Sequence, residues 1–260
     1  GLDGLASGIS VLATLLLVCL RGRWLVTRRA PAAARSLEGT GVPRPPGWPL
    51  PEGAMRWLPR VLLGIGLLGL ALRLYRLGIQ ELRGDEAFSY LVALGSPRQI
   101  VASLLEMGDP HSPLHYLLLH ATMAVAGVSE FAMRLPSALL GALGIPVAWG
   151  VGRVTGGFRR GLLLASLAAI AQPLVWIGQD LRSQYVLAVL FYWLATLILL
   201  RQAEQSHTAQ RTARWLWVAY ALCAALSVYA FYYAALALLG HAAYVLCHPE
   251  RRRLLKPWLL

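Results

Sequence analysis

Long apolar runs, separated by short charged segments, dominate the hydrophobic pattern of the chain. A helix that crosses a membrane needs roughly 17 to 25 mainly apolar residues. Apolar runs near that length predict helices at 4–20, 58–77, 113–127, 135–152, 161–178, 183–200 and 214–248. The last run is long enough for two short spans, and its aromatic centre at 229–233 predicts a tight turn between them.

The composition indicates that these helices lie in lipid. The 260 residues are 57% hydrophobic and only 14% charged, so a soluble protein could not cover its apolar surface. We therefore predict an all-α polytopic membrane protein. Its three cysteines, Cys19, Cys223 and Cys247, lie in or at the end of apolar runs without CxxC spacing, and we interpret them as packing residues.

Basic and acidic residues occupy alternate loops. The positive-inside rule places the arginine-rich segments 21–57, 153–160, 201–214 and 251–256 on the cytoplasmic side. A formal charge of +12 divided among such loops does not indicate a nucleic-acid partner. The opposite loops hold seven of the twelve acidic residues, namely Glu81, Asp85, Glu86, Glu106, Asp109, Glu130 and Asp180.

The same rule predicts how the run at 113–127 lies. If that run crossed the membrane, every later loop would change sides and the arginines of 153–160 would lie outside. We therefore predict that 97–107 and 113–127 are amphipathic helices on the outer membrane surface, within one long external segment at 78–134.

Three regions follow from this topology. A transmembrane helix at 1–20 precedes a basic, Pro/Arg-rich and mostly unstructured cytoplasmic linker at 21–57. A module of transmembrane helices with the external segment 78–134 fills 58–260. Residues 256–260 have the composition of another helix start, so we expect the sequence to be part of a longer protein.

Two groups of polar residues stand out in the external segment. Asp85 and Glu86 are adjacent carboxylates just beyond a span, and alone they are typical of a solvated acidic turn. His111 lies between Pro110 and Pro113 and has the chemistry of a proton shuttle, a metal ligand or a hydrogen-bond donor to a phosphate. Alone it is more typical of a rigid loop that caps a helix.

Further polar residues lie at two later helix entrances. Glu130 and Arg134 are four residues apart, which predicts an ion pair on a helix surface. Asp180, Arg182 and Tyr185 lie in an external turn, where interfacial charge is tolerated although costly. The predicted topology brings both groups to the same membrane face as Asp85, Glu86 and His111, which favours a functional site.

Four segments in this order carry a resemblance to a known family: Gly84-Asp85-Glu86-Ala87, Asp109-Pro110-His111-Ser112-Pro113-Leu114-His115-Tyr116, Glu130-Phe131-Ala132-Met133-Arg134-Leu135-Pro136-Ser137-Ala138-Leu139 and Trp176-Ile177-Gly178-Gln179-Asp180-Leu181-Arg182-Ser183-Gln184-Tyr185. From about residue 60 to 250 the chain resembles bacterial members of glycosyltransferase family 39, which includes protein O-mannosyltransferases. The resemblance implies a GT-C-like transmembrane helix bundle. It also implies sugar transfer from a polyprenyl- or dolichyl-phosphate carrier, outside the cell or in the lumen, with inversion.

The resemblance implies roles for individual residues. The catalytic carboxylate of the first external loop falls on Asp85, with Glu86 beside it. The family's usual His-Pro-Pro is His111-Ser112-Pro113 here, so this loop is expected to be less rigid. Its usual Gln-Glu-x-Arg is Gln179-Asp180-Leu181-Arg182, whose shorter acid leaves the detailed role of Asp180 open.

The implied reaction explains why such residues are needed. A hydroxyl acceptor must lose its proton to a base, for which Asp85 is the candidate. The departing polyprenyl phosphate needs cationic partners, for which His111, Arg134 and Arg182 are candidates, and Asp180 and Tyr185 complete the predicted substrate site. A divalent cation, Mg²⁺ or Mn²⁺, held by one carboxylate and phosphate oxygens is an alternative stabiliser, although no dedicated ligand cage is recognisable.

Two other functions remain open from the sequence. A transporter or flippase for polyprenyl-linked glycans would use similar residues, although it would place them near the bilayer midplane on broken helices. A non-catalytic membrane protein that binds such glycolipids is the second. For the enzyme, the expected partners are membrane lipid, the polyprenyl-phosphate sugar and a protein or glycan hydroxyl. The scarcity of lysine is associated with a bacterial source, hence a plasma membrane location with an outward-facing site.

Overall fold

A computed structural model describes residues 57–109, 111–205 and 214–247. The predicted helix at 4–20 and all but the last residue of the linker lie outside these ranges. Regular secondary structure within them is entirely helical. In chain order the helices are α1 (Leu58–Leu74), α2 (Gly84–Ala93), α3 (Pro97–Met107), α4 (Leu114–Ala126), α5 (Glu130–Ile170), α6 (Gln172–Gly178), α7 (Gln184–Gln205), α8 (Arg214–Ala230) and α9 (Ala234–Leu246).

The predicted external segment contains α2, α3 and α4. The bounds of α3 coincide with the predicted helix at 97–107, because Ser96 caps its first turn, Pro97 starts it and Gly108 ends it with a φ of 63°. Helix α4 confirms a helix within 113–127, and its position on the membrane surface stays a prediction.

The long run at 214–248 forms two helices, as predicted. Helix α8 ends at Ala230 and α9 begins at Ala234. The intervening turn holds Phe231, Tyr232 and Tyr233, which confirms the turn predicted from the aromatic cluster.

Helix α5 folds back on itself at two adjacent glycines. Gly156 and Gly157 depart from helical geometry, and Gly157 has a φ of 77°, which strongly favours glycine. The two limbs pack closely beyond this turn, since a Cβ on Gly152 would lie 2.5 Å from the carbonyl oxygen of Arg160. The turn lies within the basic loop predicted at 153–160, and its non-helical residues are Gly156 and Gly157.

The apolar core joins the long helices. One cluster lies between the limbs of α5 and contains Ile145, Ala148, Ala165 and Ala168. Helix α7 packs between α5 and α8, while α1 packs against α5. Within the described part of the chain, two helices, Glu130–Ile170 and Gln184–Glu204, are long and apolar enough to cross a membrane, and shorter apolar helices accompany them.

Arg73 and Gln179 tie the end of α1 to the C-terminal ends of α5 and α6. Arg73 is buried and donates to the carbonyl oxygens of Ala168 at 2.9 Å and Ala169 at 3.3 Å, where α5 ends. Gln179 in turn donates through Nε2 to the Leu72 carbonyl oxygen, near the end of α1, at 3.0 Å. Because each side chain satisfies carbonyls at the other helix's end, the segment that begins at Gln179 is fixed against α1.

Helices α2 and α4 pack onto the same segment. Ala93 of α2, Leu119 of α4, Met133 of α5 and Leu181 form one buried cluster. Leu181 of this cluster also donates its backbone N–H to Glu86 in the first turn of α2, and that contact places the N-terminus of α2 beside the loop between α6 and α7, where the candidate site lies.

Candidate active site

The first turn of α2 carries the two adjacent carboxylates, Asp85 and Glu86. Acidic side chains are favoured there, because backbone N–H groups at a helix N-terminus are unpaired and the macrodipole is positive. Glu86 Oε2 accepts from the Arg83 backbone N–H at 3.2 Å, which caps the helix. Adjacent helical residues point about 100° apart, so the two carboxylates face different surroundings.

Glu86 points inward and its side chain has no exposed surface. Its Oε2 accepts from Arg134 Nη2 at 2.7 Å, and its Oε1 accepts from the Leu181 backbone N–H at 2.9 Å. Burial alone would raise the pKa of Glu86, but the hydrogen bonds from Arg134, Leu181 and Arg83 together hold that pKa below its ordinary value. Glu86 is therefore an ionised anchor between α2, α5 and the 179–183 loop.

Arg134 completes this anchor and also fixes the chain that follows α1. Its Nη1 donates to the carbonyl oxygens of Leu77 at 3.0 Å and Gln80 at 2.8 Å. Only 3% of its side chain is exposed. The predicted pair with Glu130 is wrong: among the ion pairs of the described residues, Arg134 binds Glu86, because the guanidinium turns into the protein.

Asp180 is the second fully buried carboxylate. Its Oδ2 accepts from Arg83 Nη2 at 2.9 Å and from Arg182 Nη2 at 3.1 Å, while its Oδ1 accepts from the Arg182 backbone N–H at 2.8 Å. Arg83 also stacks over the ring of Trp176, with 4.9 Å between the guanidinium carbon and the ring centroid. Asp180 therefore orients two guanidinium groups.

Arg182 connects the buried and exposed parts of the site. While Nε and Nη2 bind Asp180, its Nη1 donates to Asp85 Oδ2 at 2.8 Å. Burial alone would lower the pKa of Arg182, but the hydrogen bond to Asp180 and the charges of Asp180 and Asp85 raise that pKa above its ordinary value. Arg182 is a permanent cation whose orientation is fixed by Asp180.

Asp85 differs from the other carboxylates because 74% of its side chain is exposed. Its partner Arg182 is 16% exposed, so the ion pair lies at the protein surface. This pair combines an accessible carboxylate with a held guanidinium, the two groups that a base and a phosphate site require.

Asp109 and His111 form a second polar centre before α4. Asp109 Oδ1 accepts from the backbone N–H of His111 at 2.8 Å and lies 2.7 Å from Nδ1 of the same ring. Asp109 Oδ2 accepts from the Tyr116 hydroxyl at 3.0 Å. Burial would raise the pKa of Asp109, but the hydrogen bonds from His111 and Tyr116 lower that pKa overall.

Aromatic rings link the two centres. The Arg182 guanidinium carbon lies 5.0 Å from the centroid of Tyr185, whose ring packs edge-on against Phe231 with centroids 5.0 Å apart. Phe231 contacts Tyr232, and the Tyr232 centroid lies 6.4 Å from that of His111. The turn between α8 and α9 therefore borders the site.

The structure brings the predicted site residues into one connected region, with different exposures. Glu86, Arg134 and Asp180 are buried anchors, whereas Asp85, Arg182 and His111 have exposed surface. Arg83 and Asp109 are not among the site residues predicted from the sequence. Their positions in the sequence could have indicated a role. Arg83 is the cap residue of α2. Asp109 lies two residues before His111, a spacing at which an aspartate commonly accepts a hydrogen bond from the backbone.

The described residues contain no group of three or more His, Cys, Asp or Glu side chains arranged to hold a metal ion. Asp85 would offer such an ion a single exposed carboxylate, which matches the expected cation held by one carboxylate and by phosphate oxygens. The Mg²⁺ or Mn²⁺ expectation therefore stays a prediction.

Comparison with known proteins identifies the family. The model of the dolichyl-phosphate-mannose-protein mannosyltransferase family matches residues 110–260, more than half of the chain. The chain belongs to this family. No curated protein and no solved structure gives a significant match.

Membership of the mannosyltransferase family confirms the resemblance seen in the sequence and agrees with the apolar helices of a membrane protein. The matched range includes His111, Arg134, Asp180, Arg182 and Tyr185 and begins after Asp85 and Glu86. The contacts of α2 with that range therefore carry the argument for the two carboxylates.

Proposed function

We propose that the protein transfers a mannose-like sugar from a polyprenyl-phosphate carrier to a hydroxyl acceptor at the outer membrane face, with inversion at the anomeric carbon. The observation that carries this proposal is the ion pair of Asp85 and Arg182, with 2.8 Å between Oδ2 and Nη1. This pair supports the proposal because a general base and a phosphate-binding cation would need an accessible carboxylate beside a guanidinium. Family membership supports the reaction class.

Arg182 binds the donor phosphate in this proposal. Its Nε and Nη2 stay on Asp180, so the guanidinium keeps its orientation when Nη1 exchanges Asp85 for a phosphate oxygen. The cation then stabilises the negative charge that grows on the phosphate as the bond to the sugar breaks. Tyr185, stacked against Arg182, forms one wall of this position.

Asp85 is the general base. Its exposed side chain has room to turn from Arg182 towards an acceptor hydroxyl on the opposite face of the sugar. As the acceptor oxygen forms its bond to the anomeric carbon, Asp85 takes the hydroxyl proton and the electron pair of the breaking bond goes to the phosphate. General base catalysis of this kind contributes typically 10² to 10⁴-fold.

Glu86, Arg134 and Asp180 are positioning residues in this proposal. Glu86 and Arg134 fix α2 against α5, and Asp180 holds Arg182. His111 adds a second polar contact for the phosphate. The GT-C-like bundle would hold the polyprenyl tail between its spans, close to these residues.

The outward orientation is tested by labelling α4. Val125 is exposed, so a single cysteine at this position, in a variant without the native cysteines, reports which side α4 faces. We expect labelling by a membrane-impermeant reagent added outside intact cells. Labelling only after permeabilisation would contradict the external site.

The reaction itself is tested with a panel of polyprenyl-phosphate monosaccharides in liposomes. We expect the wild-type protein, and not Asp85→Asn, to release polyprenyl phosphate from one of them. Equal release by both proteins would show that the base is a residue other than Asp85. No release with any donor would favour the transporter or the non-catalytic binder over the enzyme.

A further inference from the structure

A polar cluster centred on His241 lies among apolar residues of the helix bundle. His241 of α9 is 4% exposed, and its ring stacks on that of Tyr192 of α7, with 5.0 Å between the centroids and 11° between the planes. Its Nε2 lies 2.9 Å from Thr196 Oγ1 on α7, and its Nδ1 lies 3.1 Å from the Tyr220 hydroxyl on α8. One imidazole of α9 therefore contacts polar side chains of two other helices.

The hydrogen bonds around His241 have a defined direction. The Thr196 hydroxyl donates to the Tyr192 carbonyl oxygen at 2.8 Å. Because a hydroxyl has one hydrogen, Thr196 Oγ1 accepts the other bond from His241 Nε2–H. In the neutral ring Nδ1 then carries no hydrogen and accepts from the Tyr220 hydroxyl. Helix α9 therefore donates to α7 and accepts from α8.

The bond between His241 and Thr196 fixes the register of α9 along α7. Apolar side chains such as Ala195 and Val245 pack beside this cluster, and apolar attraction is not directional. A hydrogen bond, in contrast, requires a donor and an acceptor to meet within a narrow range of distance and angle. A slide of one helical turn would move α9 by about 5.4 Å. It would break this bond inside the bundle, which is costly for a buried polar group.

The same two helices carry an aromatic contact that borders the candidate active site. Tyr185 lies in the first turn of α7, eleven residues before Thr196, and Phe231 lies just before α9, ten residues before His241. The two helices therefore start at the site and touch at two levels. The outer contact is the edge-on packing of Tyr185 and Phe231, with centroids 5.0 Å apart, and the inner contact is the bond from His241 to Thr196.

We propose that His241 is a positioning residue for the donor site. Its bond to Thr196 sets the register of α9 on α7 and so holds Phe231 against Tyr185. This inference rests on the proposed function, in which Tyr185 forms one wall of the phosphate position beside Arg182. It extends the residues that determine donor binding to a side chain inside the bundle.

The test compares the donor KM of His241→Leu, which removes both hydrogen bonds of the ring, with that of Phe231→Ala, in the full chain in liposomes. An aromatic pair contributes roughly two- to tenfold to an equilibrium, so we expect each change to raise KM for polyprenyl-phosphate mannose by about fivefold. Because His241 acts through Phe231, the double variant should show the same rise as either single variant. Effects that multiply in the double variant would overturn the proposal.

Three further variants separate register from a general loss of stability. Thr196→Val keeps the side-chain shape but removes the acceptor, so it should reproduce the rise in KM, and it carries the test where His241→Leu does not fold. His241→Gln keeps an N–H near the position of Nε2 and should restore a KM near that of wild type. Tyr220→Phe is the matched control, because it removes the other hydrogen bond of the same ring and leaves the bond to Thr196.

We expect Tyr220→Phe to lower the unfolding midpoint about as much as Thr196→Val while its donor KM stays near that of wild type. An equal rise in KM in these two variants would overturn the proposal, because a general loosening of the bundle would explain both. An unchanged KM in Thr196→Val would overturn it as well.

Hydrogen exchange at the turn between α8 and α9 gives a readout that needs neither donor nor turnover. The backbone N–H of Phe231 donates to the Ser227 carbonyl oxygen at 3.1 Å, and that of Ala234 donates to the Phe231 carbonyl oxygen at 2.8 Å. We expect these amides to exchange faster in Thr196→Val than in wild type and Tyr220→Phe. Faster exchange in a protein that releases no polyprenyl phosphate from any donor would refute the proposed transferase and leave His241 as the residue that positions the turn. Unchanged exchange in Thr196→Val and His241→Leu would refute the inference alone.

Discussion

Asp85 and Glu86 are neighbours in the sequence and share one helical turn, yet their surroundings are opposite. The Glu86 side chain is fully buried, with Arg134 Nη2 and the Leu181 backbone N–H donating to its two oxygens. The Asp85 side chain is 74% exposed, with one oxygen on Arg182. Both carboxylates therefore have a guanidinium partner, and they differ in what else can reach them.

This difference separates anchoring from chemistry. A buried carboxylate whose oxygens are already bonded cannot accept a proton from a substrate without breaking the structure around it. An exposed carboxylate with one surface ion pair contributes little to stability and can exchange its partner. The pair Asp85–Arg182 is suited to the reaction because the pair Glu86–Arg134 holds α2 in place.

Asp85→Asn gives the largest expected effect on turnover. Removing the proposed base while keeping the side-chain size should lower kcat by two to four orders of magnitude. The thermal unfolding midpoint in detergent should stay near the wild-type value, because Asp85 is exposed. Turnover within tenfold of wild type would show that Asp85 is not the base.

Glu86→Gln should produce the reverse pattern. Breaking a buried ion pair leaves Arg134 with an uncompensated charge, which costs about 3 kcal/mol or more. For a domain of this size we expect the unfolding midpoint to fall by roughly 6–12 °C. Protein that remains folded should lose less kcat than Asp85→Asn, because Asp85 itself is still present, and a midpoint equal to that of Asp85→Asn would remove the distinction between the two neighbours.

Much of the helical architecture could be predicted from the sequence, because apolar runs and capping residues act locally. Ser96, Pro97 and Gly108 define α3, and the aromatic residues at 231–233 mark the turn between α8 and α9. The convergence of the charged residues could also be predicted, since loop charge fixes the side of each helix end.

The choice of partners could not be predicted, because it depends on contacts between residues far apart in the chain. Spacing alone pairs Arg134 with Glu130, yet the packing of α2 on α5 gives it Glu86, 48 residues away. Locally, Glu86 differs from Asp85 in capping α2 through the Arg83 backbone N–H, which does not by itself bury the side chain. The backbone N–H of Leu181, which bonds Glu86 and not Asp85, comes from a loop 95 residues later.

Arg182→Lys tests whether the exposed pair needs a guanidinium. Lysine keeps the positive charge but has a single ammonium group. It cannot bind Asp180 through two nitrogens and offer a third nitrogen to the donor, as the guanidinium of Arg182 does. We expect the donor KM to rise about tenfold with a smaller change in kcat. Arg83→Lys is the matched control, because Arg83 also binds Asp180 but, among the ion pairs of the described residues, does not bind Asp85. The donor KM of this variant should change less than about threefold.

The acid dependence of stability gives the smallest expected effect and separates the two carboxylates once more. The pKa of Glu86 is lower in the folded protein than its ordinary value of 4.5. The stability this adds is complete above the unfolded pKa and is lost as pH falls through the folded pKa. Unfolding midpoints measured from pH 6 downward should therefore decline below about pH 4.5 in wild type and in Asp85→Asn, since both keep Glu86. Glu86→Gln should start lower and decline less steeply, retaining the part that comes from Asp109, whose pKa is also lowered. Equal slopes in all three proteins would show that Glu86 is not ionised more readily in the folded state, and its role as a charged anchor would fail.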